Sequence, residues 1–220
     1  MADSNLPSDA DLRAEYSETE RQIFDAALRV FARKGRAGAR MQEIADAADI
    51  NKAMLHYYFR NKETLFGEVF AFTMRRFMAS FGASLKEAPT FAETLRVFID
   101  GYVEFVRTNQ DAMRLMVNEN LAGGTHLGEH LKRLKASGDA PPQIFVEKVE
   151  AAVASGEIRA VDPDHTLVSV ISTCIFFFVM RPTVQTIHAE AASDWGEFVE
   201  ARKEHLFDLL YHGLVPDADA

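Results

Sequence analysis

The 220-residue chain has a single cysteine, Cys174, which excludes an intrachain disulfide framework and suits a reducing compartment. No basic segment followed by an apolar run opens it, so no secretory signal is expected. The most apolar stretch, residues 167–180, is only 14 residues long and contains Ser169, Ser172 and Thr173. A bilayer span needs roughly 20 apolar residues. A cytoplasmic protein without a membrane partner is therefore expected. There is no strand-like alternation, no repeat and no low-complexity run. Nucleophile elbows, phosphate loops and zinc-protease helices are also missing, so nothing positive supports an enzyme, a metal or a cofactor.

Positive charge is scarce as well: 24 Lys and Arg against 33 Asp and Glu, net −9. At face value this argues against nucleic acid, because neutralising phosphates needs cations. The average hides a division. Residues 1–17 carry net −3, residues 18–66 net +2 and residues 67–220 net −8.

What is present is helical periodicity. Residues 1–17 are polar and acidic, and read as a disordered arm with Arg13 as its one basic group. In residues 18–34, Ile23, Ala26, Ala27, Val30 and Phe31 recur at helical spacing, and Gly35 supplies a stop. Residues 41–48 form a short helix burying Ile44, Ala45 and Ala48, Asp49-Ile50 make a turn, and Asn51 stands as the cap of a second short helix at 52–58. That helix buries Leu55 and Phe59 and turns Lys52, Ala53, Met54, His56 and Tyr57 outward. Two small helices in this arrangement are a helix-turn-helix, whose second member fits the DNA major groove.

A long helix capped by Asn61 follows, apolar on more than one side, with a break at 82–89. Further helices are expected from Thr90, at 111–121, at 126–137, at 142–155, at 162–180 behind the Asp162-Pro163 start signal, and from a Ser193 cap to 212. The class is all-α, with about nine or ten helices: an N-terminal three-helix helix-turn-helix domain and a larger C-terminal helical domain.

Two isolated features have bland explanations. His126 and His130 stand at i, i+4 around Glu129, but no second ligand cluster accompanies them and Gly124 and Gly128 weaken the helix, so exposed polar residues are expected. Cys174 lies in an apolar run, which suits a buried inert thiol.

The segments IFDAALRVFARKG and MQEIADAADINKAMLHYYFRNKETLF strongly resemble the N-terminal domain of the tetracycline-repressor (TetR) family of bacterial transcription regulators. The shared features are Ala26-Ala27, Phe31, Gly35, Ile44-Ala45, Ala48, Leu55, Tyr58-Phe59, Lys62 and Leu65. The resemblance implies a homodimer on a palindromic operator, and a variable C-terminal domain whose small-molecule effector alters the spacing of the two heads.

Carried over by position, the resemblance places Lys52 and Met54 over base edges, His56 and Tyr57 against base or phosphate, and Lys62 on a phosphate. Arg40, Gln42, Asn51 and Ala53 complete the DNA-binding candidates. Four positions depart from the family pattern. Arg40 stands where Thr is usual, Asp49 where Gly is usual, Met54 where Thr or Ser is usual and His56 where Tyr is usual.

The expected organisation is an arm at 1–17, a DNA-binding domain at 18–66, a ligand-binding and dimerisation domain at 67–213, and a tail at 214–220. Tyr102, Phe105, Met116, Phe145, Cys174 and Phe178 are the ligand candidates, and the 17 Phe and 8 Met of the chain suggest a largely apolar effector. The expected function is a ligand-responsive repressor. The alternatives are a helical small-molecule carrier that does not touch DNA and, with less support, an all-α enzyme.

Overall fold

The computed structural model describes residues 9–129, 132 and 140–216. Among these residues the regular elements are twelve helices and a short helical segment at 125–129. In chain order they are α1 (Asp9–Ala14), α2 (Glu18–Gly38), α3 (Met41–Ala47), α4 (Lys52–Tyr58), α5 (Lys62–Glu87) and α6 (Phe91–Thr108). There follow α7 (Gln110–Leu121), α8 (Pro141–Ser155), α9 (Pro163–Val179), α10 (Arg181–Ile187), α11 (Ala189–Ser193) and α12 (Trp195–His212). The count exceeds the nine or ten expected because α1, α10 and α11, of five to seven residues each, are too short to show a periodic stripe. The fold class is all-α, as expected. Among the described residues no single helix is long and apolar enough to cross a membrane, though α9 and α10, bent by 67° at their junction, pass that test as a pair.

The helices divide into two compact units, Met1–Ser80 with Asn109–Ser137 and Phe81–Thr108 with Gly138–Ala220. The expected boundary at residue 66 falls inside the first of them.

In the first unit α2 is the central wall. Ser17 and Glu20 make a reciprocal capping box at its start, satisfying two backbone amides that would otherwise lack partners. Its inward stripe, Ile23, Phe24, Ala26, Ala27, Val30 and Phe31, is almost fully buried. Each of the large side chains there contributes roughly 1.5–3 kcal/mol of burial free energy. Helix α7 packs along α2, and Asn118 Nδ2 donates to Ala32 O at 2.9 Å. Gly35, expected as the stop, adopts φ 65° and ψ 172°, and helical turns resume beyond it to Gly38.

The arm reading of residues 1–17 is corrected in part. Helix α1 occupies Asp9–Ala14, Leu12 is buried, and the Tyr16 ring packs edge-on against Phe24 and Phe72 at 4.8 and 5.4 Å. Arg75 Nη1 donates to Glu15 at 2.8 Å, an ion pair sixty residues apart in sequence that no local pattern reveals.

In the second unit α6 lies against α8, α9 and α12. Its buried stripe includes Leu95, Phe98, Ile99, Tyr102, Phe105 and Val106, and Phe98 packs on Phe145 at 4.6 Å. Helix α5 does not break at Gly82, as expected from sequence, but runs to Glu87, with Gly82 buried and tolerated inside the helix. The Thr90 hydroxyl accepts from Glu93 N at 3.2 Å, as a cap should. Asp162 caps α9, accepting from His165 N at 2.8 Å, with Pro163 at the first helical position. The last helix is capped by Asp194, which accepts from Glu197 N at 3.0 Å, and not by Ser193, which ends α11.

The part of the expected 126–137 helix that is described is helical at 125–129. His130 lies outside the described residues.

Candidate nucleic-acid interface

The helix-turn-helix is built by a buried seam and fastened by ion pairs. Ile44, Ala45, Ala48, Leu55 and Phe59 are buried; α3 packs on α2 and on α4, and the Phe59 ring lies 5.6 Å from that of Phe24 on α2. Between α3 and α4 Ile50 N donates to Ala45 O at 3.0 Å, and Asp49 takes φ 54°, the one positive φ among the described non-glycine residues. A short polar side chain tolerates that left-handed conformation better than most. Asn51 Oδ1 then accepts from Met54 N at 2.7 Å and starts α4. Asn61 does the same for α5, accepting from Thr64 N at 2.8 Å.

The loop that leads into α3 is pinned from three sides. Lys34 pairs with Glu43, holding the Glu43 carboxyl below the usual carboxylate range chiefly through their hydrogen bond. Arg36 pairs with Glu63 and lies over the Phe66 ring at 5.7 Å. Lys62 Nζ donates to Ala37 O and Ala39 O at 3.2 and 3.1 Å. These contacts hold the start of α3 against the start of α5.

Of the nine DNA-binding candidates, Arg40, Gln42, Asn51, Lys52, Ala53, Met54, His56 and Tyr57 are exposed and Lys62 is half-buried. Tyr57 is 84% exposed. Arg40 stands at the N-cap of α3 without a side-chain cap bond, in keeping with the missing hydroxyl noted in the sequence. Gln42 Nε2 donates to Asp46 at 2.8 Å, and His56 Nδ1 lies 3.2 Å from Arg60 O. Lys62 differs from its expected role in one respect: its ammonium is already bonded to two backbone carbonyls of the α2–α3 loop.

The six ligand candidates are all buried, but in two places. Tyr102, Phe105, Phe145, Cys174 and Phe178 belong to the second unit and Met116 to the first. Burial raises the Tyr102 hydroxyl pKa strongly and pushes the Cys174 thiol up to about 12. A thiol so placed is protonated and a poor nucleophile at neutral pH.

Two open cavities in the second unit are lined by other residues. One, of about 500 Å³, is largely apolar and touches Phe176, Phe177, Met180, Val184, Phe198 and Arg202. The other, of about 460 Å³, lies between Arg159, His165 and Ser169 on one side and Leu209 and Leu214 on the other. None of the six candidates lines either cavity.

Sequence reasoning missed the pairs Lys34–Glu43 and Arg36–Glu63, since charges this far apart in sequence carry no periodic signal. It also missed Glu119, a buried carboxylate that accepts from both the backbone N of His126 and its ring Nδ1, at 2.9 and 3.1 Å. A signal existed: Glu119 follows Met116 by three residues and so falls on the buried stripe of α7. His126 is thus half-buried beside Phe66, ring centroids 5.1 Å apart, and not the freely exposed residue expected.

Comparison with known proteins agrees with this geometry. Residues 23–69 match the family of bacterial regulatory proteins called the tetR family, and residues 92–210 match the tetracyclin repressor-like C-terminal domain. The transcriptional repressor NicS of Pseudomonas putida is 26% identical over 211 residues, covering 92% of this chain and 96% of that protein. The transcriptional repressor SCO4008 of Streptomyces coelicolor is 31% identical over 146 residues, 66% of this chain and 68% of that protein. Among solved structures, AibR in complex with isovaleryl coenzyme A and operator DNA superimposes with a TM-score of 0.63 at 24% identity, covering 73% of this chain and 86% of that one. The second match alone spans more than half of the chain, and it follows a matched helix-turn-helix. The chain belongs to the tetR family of bacterial regulatory proteins and is a helix-turn-helix transcriptional regulator.

Proposed function

We propose that the protein is a homodimeric, cytoplasmic repressor that holds a palindromic operator with two copies of α3–α4 and releases it when a small, largely apolar effector binds the C-terminal unit. The observation that carries this reading is α4: a helix fastened by buried Leu55 and its Asn51 cap, yet presenting Lys52, Ala53, Met54, His56 and Tyr57 to solvent. Relatives named as repressors support the direction of regulation. AibR, whose structure holds both an acyl coenzyme A and operator DNA, supports joint recognition of effector and DNA.

Pairing of α9 and α12 with their symmetry mates as a four-helix bundle is favoured by the apolar side chains these helices leave exposed. Val168, Phe176 and Val179 on α9 and Leu209 on α12 are among them. Tyr102, Phe105, Phe145, Cys174 and Phe178, all in the second unit, remain the proposed effector contacts.

For the effector to act, it must favour one spacing of the heads over another. Successive major grooves lie about 34–36 Å apart, and equal affinity for both spacings would shift nothing. Selection of bound sequences from random duplexes tests the reading. A palindrome is expected, and failure to enrich any sequence would overturn it.

A further inference from the structure

We propose that the operator half-site is read in part through thymine methyl groups, by the apolar side chains of Ala53 and Met54. This rests on the assignment of α4 as the groove-facing helix and specifies what that helix reads.

Adenine is recognised by Asn or Gln using donor and acceptor together, and guanine by Arg or Lys. Helix α4 contains no Asn, Gln or Arg from Lys52 to Tyr58, and Lys52 is its one side chain of the type that reads guanine. The three amides around it, Gln42, Asn51 and Asn61, are all engaged within the protein, Asn61 Oδ1 accepting from Thr64 N at 2.8 Å. Asn51 Oδ1 accepts from Met54 N at 2.7 Å, and Gln42 Nε2 donates to Asp46 Oδ1 at 2.8 Å. Each would have to give up that bond to make the paired contact to adenine. His56 has its Nδ1 turned to Arg60 O at 3.2 Å, which leaves Nε2 as its outward atom.

What α4 offers the groove is therefore an ammonium, an imidazole edge, a phenol and two adjacent apolar groups. Ala53 is exposed and Met54 is 37% exposed, although its neighbour Leu55 is fully buried. The one apolar feature on a base edge in the major groove is the C5 methyl of thymine. The thioether chain of methionine is flexible and adapts to an irregular apolar contact. Ala53 and Met54 thus have a matching partner in the groove, and adenine and guanine edges do not supply it.

The test uses the full-length protein and the operator recovered by selection. Each thymine of one half-site is replaced in turn by deoxyuridine, which removes only the methyl group, and affinity is measured by fluorescence anisotropy for the wild type, Met54→Leu and Met54→Ala. Loss of one buried methyl corresponds to about a fourfold weakening. The wild type is expected to show this at one or two thymines. Met54→Leu keeps the response and Met54→Ala abolishes it at one of these positions.

Operator binding that ignores every replacement, or a response that persists at every position in Met54→Ala, overturns the proposal and leaves the DNA-binding reading standing. Failure of the intact protein to enrich any duplex overturns that reading, and the proposal with it. Met54 is exposed, so neither variant removes core packing.

Discussion

Single side chains of the interface divide into those that hold the backbone and those that face outward. Lys62 belongs to the first group, because its ammonium is bonded to Ala37 O and Ala39 O. Lys62→Ala is expected to weaken operator binding by loosening the start of α3 while leaving the slope of log affinity against log salt nearly unchanged. A direct phosphate contact would instead lower that slope by about one, so binding titrated across salt concentrations separates the two. Cys174 makes a second expectation at this scale. Burial raises its thiol from an ordinary 9.0 to about 12, so the native state keeps a proton that the unfolded chain releases. Its contribution to stability is fully present below pH 9 and is lost as pH rises through the window from 9 to 12. Urea denaturation of wild type and Cys174→Ala across that window should show the steeper decline in the wild type. Thiol reagents at pH 7 should react only after unfolding.

At the scale of elements, the contact between α5 and α6 depends on one missing side chain. A Cβ on Gly101 would collide with the Cβ and ring of Phe81, and both belong to the second unit. Gly101→Ala should therefore destabilise the protein by about 1–3 kcal/mol, as overpacking does, read as a lowered midpoint in thermal or urea unfolding. Helix identity was legible in the sequence wherever a stripe, a cap and a stop agreed. Asp162-Pro163 and Asn51 marked the starts of α9 and α4, and Gly156, left-handed at φ 77°, ended α8. Legibility failed where local signals conflicted with packing. Gly82 reads as a breaker but is buried inside α5, and α10 and α11 occupy a stretch with too few residues to show a period.

For the whole molecule, the proposed two-fold assembly makes the exposed apolar face of α9 the feature to disturb. Phe176 is 60% exposed in the single chain. Phe176→Asp would place a charge in the proposed bundle, and is expected to yield a monomer by sedimentation velocity that retains its helical circular dichroism and loses operator affinity by well over tenfold. A dimer of unchanged affinity for itself would remove α9 from the interface. The division of the chain is also decided at this scale. Helix α7 follows α6 in sequence and would be assigned with it, yet it packs along α2 in the first unit, where Asn118 bonds to Ala32 O and Glu119 holds His126 beside Phe66.

By itself the sequence determined the class of the protein and the location of its reading head. An apolar period, a polar cap and a left-handed turn residue are local properties, set by neighbours within a few positions along the chain. Only the tertiary structure decided how the head is fastened, which of its side chains are already engaged, and that α7 belongs with α2. Ion pairs such as Arg36–Glu63, hydrogen bonds such as Lys62 to Ala39 O and packing such as that of Phe66 on His126 join residues 23 to 60 positions apart. Their energy depends on distance in space, and no periodicity in the sequence records it.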